Sequence, residues 1–459
     1  MKTITSKGSA AYGWLVEILQ QHQNPYRTIA FAFLFTMLVG SFLLMLPIAT
    51  REGQTTTYVD ALFTSVSAVA ITGLSPVDVH LHWTLFGQVI IVLLIQLGGL
   101  GVLTFTTLVA VILGRKIGVQ ARLNLQTSMD ERSLHGMVRL VIRIVGLTFA
   151  IEGVGAVLYA IQLYPYLGSS AIYYGIFQSI SAFCNAGFVF FDNALVYEMV
   201  DDTFFSFHTS FLIIIGGIGY SVLFDLYKNR KKSFHWLSLQ SKIMLVGTAL
   251  LISFGFFFIL LVEWNNAGTI GNLSFLGKVD AALLQAVTPR TAGLATVDYT
   301  AMHTNTVLLT IFLMFLGGGP GSTAGGIKIT AAAILLVSSL SICLGHREVR
   351  VFKRTISPDL QHRAMAGALF ASLFLSVGTF LLASFEDAPI LAIVFEVVSA
   401  FSNVGLSMNL TPTLSVPSKL VLIILMYAGR IGVMTLIASF IMKNRRIEHI
   451  RYPHENIML

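Results

Sequence analysis

The sequence predicts an all-α integral membrane protein of four membrane-pore-membrane repeats: eight transmembrane helices plus four re-entrant pore helices around a pseudo-fourfold pore. Three observations predict it. The 459 residues are 55% hydrophobic and 11% charged, with a mean hydropathy of +0.79, whereas soluble domains carry about a quarter charged residues. Runs of the length that crosses a bilayer, about 20 residues, lie near 29–48, 84–113, 140–163, 207–226, 243–263, 306–343, 364–385 and 418–442. Four helix-sized stretches end in a lone glycine, at Gly73, Gly187, Gly293 and Gly405, spaced 114, 106 and 112 residues apart. That spacing is close to a quarter of the chain, the mark of an internal repeat.

The elements follow in order. Residues 1–28 form a cytoplasmic amino-terminal segment; it is mixed polar and lacks a small-residue cleavage site, so no removable signal peptide is expected. Repeat 1 occupies 29–115, repeat 2 140–228, repeat 3 243–343 with a broken second helix, and repeat 4 364–442. Residues 443–459 close the chain on the cytoplasmic side.

Aligning the repeats on their glycines supports the period. Six residues before the glycine stand Ser67, Ser181, Val287 and Ser399, and five before it Ala68, Ala182, Thr288 and Ala400. Five after it come Asp78, Asp192, Asp298 and the exception Leu410. Glycine-rich motifs recur downstream, beginning at Gly98, Gly216, Gly317 and Gly429, at 25, 29, 24 and 24 residues past the filter glycine.

The formal charge of +7 is a topology signal. With the amino terminus inside, the cytoplasmic segments collect 23 of the 29 Lys and Arg, including Arg115, Lys116, Lys231, Lys232, Arg350, Arg354, Arg445 and Arg446. The opposite side holds Arg51, Lys278 and Lys419 beside Glu198, Asp201, Asp202, Glu386 and Asp387. The positive-inside rule puts both termini in the cytoplasm, and nucleic-acid binding is excluded as a use of this charge. Cys184 and Cys343 are too far apart in sequence to suggest a disulfide framework or a metal site. The eleven histidines show no ligand spacing, and no HExxH, activated nucleophile or paired carboxylate suggests an enzyme.

The glycines point to a cation pore. A permeating cation trades its hydration shell for oxygens, and backbone carbonyls supply them. Aiming those carbonyls inward needs angles that glycine adopts freely. The expected filter is Ile71-Thr72-Gly73, Asn185-Ala186-Gly187, Thr291-Ala292-Gly293 and Asn403-Val404-Gly405. No acidic ring lies in it, which argues against a calcium-type site. The pore helices aim their negative carboxyl ends at the ion. Asp78, Asp192 and Asp298 either line the outer mouth and concentrate cations there or serve as caps or loop ion pairs.

Those glycine repeats, with Asp60-Ala61-Leu62-Phe63-Thr64-Ser65, Thr288-Pro289-Arg290-Thr291-Ala292-Gly293 and the broken segment 306–343, resemble the Trk/Ktr/HKT superfamily of potassium transporters over nearly the whole chain. The Ktr-type membrane subunit is most similar. The resemblance implies potassium as the transported ion and Na⁺ as a candidate activator, with no cofactor in this chain. It implies a homodimer with one pore per protomer in a bacterial plasma membrane, symporter or channel-like, controlled by a cytosolic RCK-type ring that binds adenine nucleotide. Glycine at position 73 favours potassium, since some sodium-carrying relatives have serine in the first filter. The alternative is a sodium-transporting or sodium-coupled secondary transporter with a midplane site; four repeats of one orientation favour the pore.

The decade Gly317-Gly318-Gly319-Pro320-Gly321-Ser322-Thr323-Ala324-Gly325-Gly326 cannot be a continuous helix. Irregular backbone at membrane depth survives where it lines water or is buried in protein. The decade looks like the family's intramembrane gating loop, a simple kink being the alternative, while a phosphate loop is excluded by the apolar context after Gly326. Arg430, mid-way along the last segment, is functional by default at that depth. Its place matches the family arginine that faces the loop; the other reading is a lock between helices. Arg290 is expected to face away from the pore and to anchor its helix to Glu396 or Asp280. Glu152 is expected to pair with Arg143 or cap a helix contact, and Asp225 to sit among Lys228 and Arg230. Loops 227–242 and 344–363 offer a basic surface to an acidic regulator.

Overall fold

The computed structural model describes residues 25–112, 119–128, 137–346 and 348–441. The two terminal segments, and with them Lys2, Lys7, Lys443, Arg445, Arg446 and Arg451, lie outside the described residues, as do Arg115, Lys116, Arg132 and Arg347.

Each repeat is an outer helix, a pore helix and an inner helix. The outer helices are Pro25–Leu44, Met137–Leu167, Leu239–Glu263 and Pro358–Phe385, each long and apolar enough to span a membrane. Their lipid-facing residues stay exposed, as with Leu250, Phe254, Phe257 and Leu261 in the third. The pore helices, Tyr58–Ala70, Ala171–Phe183, Phe275–Val287 and Ile390–Ser402, are thirteen residues each, too short to span, and form the buried centre. Each packs on its own outer helix. A glycine admits it in the outer helix: a side chain at Gly40 or Gly155 would run into Ser65 or Ser179, and one at Gly255 or Gly378 would press on Ala286 or Val397 as well as on Leu313 or Leu425. Small residues that let backbones approach are how helices associate in lipid, where no hydrophobic drive holds them together.

Local signals set where helices begin. Thr57 caps the first pore helix by accepting from the Asp60 amide, and Ser274 caps the third through the Gly277 amide. Thr84 and Asp202 cap the first and second inner helices.

The inner helices close the ring. That of each repeat packs on the pore helix of the next, and the fourth inner helix packs on the first pore helix, so the repeats run 1-2-3-4 about one axis. The break expected in repeat 3 alone has counterparts in the other three. The inner helices Leu85–Leu100, Thr203–Ile218 and Val416–Ile431 give way after one residue to Val102–Ile112, Tyr220–Lys228 and Val433–Ile441, with bends of 96°, 95° and 95°. At each bend Gly101, Gly219 or Gly432 has φ of 83°, 103° or 86°, a region side chains resist. Segments 84–113, 207–226 and 418–442 are therefore not straight spans. In repeat 3 the inner helix is Thr304–Phe315, then the glycine loop, then Ile329–Cys343. A two-stranded hairpin pairs Arg350 with Thr355 and Val351 with Arg354 in the loop before the last outer helix.

Candidate functional site

The four glycine stretches meet at one ring. In each, the residue two before the glycine is left-handed: Ile71 at φ 59°, Asn185 at 59°, Thr291 at 69° and Asn403 at 54°. The glycines themselves stand at 91°, 72°, 69° and 95°. A Cβ added to Gly73 would collide with the Ala186 carbonyl oxygen, one on Gly187 with Ala292 O, one on Gly293 with Val404 O, and one on Gly405 with Thr72 O. The carbonyl before each glycine thus fills the space of the missing side chain in the repeat before it, and the fourth contact returns to repeat 1. Glycine is required twice over, by angle and by space.

Hydroxyls on the pore helices hold the strands. Ser67 Oγ accepts from the Gly73 amide at 3.0 Å and Ser399 Oγ from the Gly405 amide at 3.1 Å. Ser181 Oγ donates to Phe188 O at 2.7 Å. Repeat 3 has Val287 at that position, and the neighbouring Thr288 takes over by donating to Leu294 O at 2.8 Å. The aligned serines and the displaced threonine were visible in sequence as a register; their use as strand clamps was not.

Behind the ring, the first glycine of the downstream motif in repeats 1, 2 and 4 is a contact point. A Cβ on Gly98, Gly216 or Gly429 would meet Val69, Phe183 or Phe401 O, in each case the carbonyl four residues before the ring glycine. Two side chains of the ring strands tie to the inner helix beside them. Asn403 Nδ2 donates to Met426 O at 2.9 Å and to Thr72 Oγ1 at 3.0 Å. With its amide oriented to satisfy its neighbours, Asn185 donates to Ile213 O at 3.2 Å. Met426 and Ile213 each stand three residues before the equivalent glycine.

The loop of repeat 3 lies at the inner end of the ring. Gly319 N donates to Gly217 O at 3.0 Å, Thr323 N to Gly216 O at 3.4 Å, and Tyr220 N to Gly321 O at 3.2 Å. Gly325 and Gly326 approach Ser402 and Asn403 at the base of the fourth strand. Its two ends are pinned by Gly317 N donating to Ile327 O at 2.9 Å, and Lys328 Nζ reaches Ala324 O at 2.7 Å. Arg430 spans the remaining gap: Nη1 donates to Thr323 O in the loop and Nη2 to Gly98 O in the first inner helix. The loop and Arg430 together touch repeats 1, 2 and 4.

Other expected partners differ. Arg290 is 4% exposed, but its Nε and Nη2 have no hydrogen-bond partner, and neither Glu396 nor Asp280 is paired with it. Glu396 is engaged by Thr411 and Asp280 by Thr203 instead. Helix azimuth decides this, and the sequence does not display it. Glu152 accepts from Gln96 Nε2 at 3.1 Å while Arg143 is exposed, so that pair does not form. Asp225 caps the next helix, accepting from Ser238 N at 2.9 Å and Ser241 Oγ at 2.5 Å, and forms no ion pair with Lys228 or Arg230. Asp78 and Asp192 cap the short helices that follow them, accepting from the amides of Leu81 and Ala194 at 2.8 and 2.9 Å, and Asp298 accepts from the Thr300 amide at 2.9 Å within a turn. Among the described residues no cluster of His, Cys, Asp or Glu could hold a metal ion.

A sequence profile of the TrkH family, described as a cation transport protein, matches residues 14–450. The chain is 40% identical over 432 residues to the Ktr system potassium uptake protein B of Bacillus subtilis, covering 94% of this chain and 95% of that one. It is 37% identical over 450 residues to the potassium/sodium uptake protein NtpJ of Enterococcus hirae, covering 96% and 98%. Among solved structures, the potassium transporter TrkH from Vibrio parahaemolyticus shares the fold, with a TM-score of 0.71 over 91% of this chain and 85% of that one at 19% identity.

Proposed function

Because this chain belongs to the TrkH family of cation transport proteins, we propose that it takes up potassium through the four-stranded carbonyl ring. The observation that carries this reading is the closed ring itself, in which every filter glycine lies against the next repeat's carbonyl. A dehydrated K⁺ on the axis exchanges water for these oxygens. Four pore helices end within a few residues of the strands and add the negative ends of their dipoles. The filter consists of Ile71, Thr72, Gly73, Asn185, Ala186, Gly187, Thr291, Ala292, Gly293, Asn403, Val404 and Gly405.

The gate is the loop from Gly317 to Gly326, held shut by Arg430. An arginine below the filter opposes a cation electrostatically, and its two carbonyl contacts fix the loop to the first inner helix. Opening breaks the contact with Thr323, so the loop withdraws and the guanidinium leaves the axis. A cytosolic RCK-type ring binding adenine nucleotide supplies the work of opening. Its docking surface is the basic loops 227–242 and 344–363, which meet where the Phe234 and Phe352 rings lie 6.3 Å apart. The protein acts as a homodimer in a bacterial plasma membrane with both termini cytoplasmic, a reading supported by the Lys and Arg bias of the loops.

A second reading, uptake of sodium beside potassium or activation by it, is favoured by the 37% identity to a protein named for both ions. Flux of K⁺, Rb⁺ and Na⁺ into proteoliposomes containing the full chain, with Gly293→Ser as control, separates the two. Potassium flux that loses selectivity in the variant supports the filter. Equal sodium and potassium flux, or indifference to the substitution, overturns it.

A further inference from the structure

The residue two before each ring glycine is left-handed in all four repeats, but its side chain differs: Ile71, Asn185, Thr291 and Asn403. Asn403 is fully buried. Its Nδ2 donates to Met426 O in its own inner helix at 2.9 Å and to Thr72 Oγ1 in the first ring strand at 3.0 Å. Met426 O can only accept, so the amide cannot be turned over, and Oδ1 faces the other way. There it meets the loop: a Cβ on Gly325 would overlap it, and one on Gly429, the residue before Arg430, would lie 2.8 Å from it. No donor reaches Oδ1. One side chain therefore has its nitrogen in the ring and its oxygen under the loop.

A buried acceptor with no donor costs free energy, and native proteins leave few of them. Repeat 1 shows that the packing does not call for a polar group at this place. Ile71 stands there at φ 59°, and a Cβ on Gly98 would lie 3.2 Å from its Cγ1, much as Asn403 faces Gly429. An apolar side chain fills that corner without leaving an acceptor unpaired. In repeat 4 the loop covers the oxygen, since Gly325 packs on Ser402 O and on Asn403 Cβ as well. When the loop withdraws, pore water reaches Oδ1 and pairs with it. The Arg430 bonds hold the loop in place; the oxygen beneath Gly325 favours its leaving.

We infer that Asn403 is a positioning residue joining the gate to the ring: its amide nitrogen holds the seam between the fourth and first strands, and its unpaired oxygen, covered by Gly325 in the closed loop, favours opening. This rests on the reading of the ring as the filter and of the loop as its gate. It makes closure a balance between the Arg430 latch and a buried acceptor that opposes it, so that a regulator supplies only the difference. The seam keeps its nitrogen bonds in either position of the loop.

The test uses the full-length chain with Thr323→Cys in a Cys343→Ser background, Cys184 being buried. Thr323 is 1% exposed and its hydroxyl has no partner, so a thiol there meets a water-soluble methanethiosulfonate only when the loop opens. Relative to that parent, Asn403→Val, an apolar branched side chain shorter than asparagine, should slow labelling about five- to a hundredfold, the factor that an unpaired buried acceptor represents. Gly325→Ala, which sets a methyl on Oδ1, should speed it. Discrimination of K⁺ over Na⁺ in proteoliposomes should fall in Asn403→Val, because the nitrogen bonds are lost with the oxygen. Labelling within threefold of the parent, or faster, overturns the inference even where selectivity or melting temperature drops, which marks support of the ring alone. Asn403→Ile, which copies repeat 1, meets the same criterion if valine unfolds the protein. An unchanged rate in Gly325→Ala overturns the inference too. Labelling reads the loop whatever the ring conducts. If Arg430→Gln leaves it unchanged, the gate reading falls and takes this inference with it, whereas Gly293→Ser without effect on flux removes the filter reading alone.

Discussion

Asn403 in the fourth strand of the ring donates to the Thr72 hydroxyl in the first at 3.0 Å, across 331 residues of sequence. Beside that bond, Gly405 lies directly against the Thr72 carbonyl. The seam between the last repeat and the first is therefore closed by backbone contact as well as a side-chain bond. A Gly405→Ala substitution puts a methyl onto that carbonyl and forces a residue with φ near 95° into a strained region. The expected outcome is loss of K⁺ over Na⁺ discrimination with the protein still folded, read as the ratio of K⁺ to Na⁺ flux in proteoliposomes.

Thr288 explains why repeat 3 tolerates valine where the other repeats have serine. Its hydroxyl reaches Leu294 O from one residue further along the helix. Thr288→Val keeps the shape and leaves a buried carbonyl unpaired, a loss of about 1–3 kcal/mol. The melting temperature should fall, and Ser181→Ala, which removes the bond to Phe188 O, should fall comparably. No shift in either variant would mean that water replaces the hydroxyl.

How far the molecule could be read beforehand follows from these residues. The four ring glycines were legible because positive φ and a facing carbonyl both weigh against a side chain at these positions. The bends at Gly101, Gly219 and Gly432 were hidden, because each closes a glycine-rich motif whose first glycine, Gly98, Gly216 or Gly429, admits a close pore-helix carbonyl and would equally suit a straight helix. The contact of Arg430 with the loop was legible because an arginine at that depth requires acceptors. The partners of Glu152 and Arg290 were not, since they depend on which way each helix is rotated about its axis.

Lys419 Nζ and Asp60 Oδ1 lie 2.7 Å apart with side chains only 13% and 16% exposed, joining the fourth inner helix to the first pore helix. An exposed pair contributes about 0–1 kcal/mol, and partial burial should place this one toward or above the top of that range. A double-mutant cycle with Lys419→Met and Asp60→Asn, read by denaturation, should give a coupling of about 1 kcal/mol. Strict additivity would mean that the pair adds nothing to ring closure.

His82, the last residue of the short helix Val79–His82 that follows the first strand, bonds Thr56 Oγ1 at 2.7 Å and is held below the usual imidazole value by burial, with Asp60 opposing. A lowered folded value means the unfolded chain takes the proton first. Stability should be intact above about pH 6.5, the unfolded value, and decline as pH falls through it. Thermal melting from pH 8 to 5.5 should show that decline, and His82→Gln should flatten it.

Arg430 makes two charge-assisted bonds to carbonyls of different repeats, and each is of a kind that contributes about 1.5–3 kcal/mol. Replacing it with glutamine leaves one amide group to serve Thr323 and Gly98 and removes the positive charge below the filter. If the loop is the gate, losing one such bond shifts the closed-to-open ratio about 10- to 100-fold toward open. The chain without its regulator should then conduct K⁺ faster, with the ion order unchanged because the filter glycines are untouched. Faster flux with lost selectivity would instead assign Arg430 to the support of the filter, and unchanged flux would reduce it to a lock between helices.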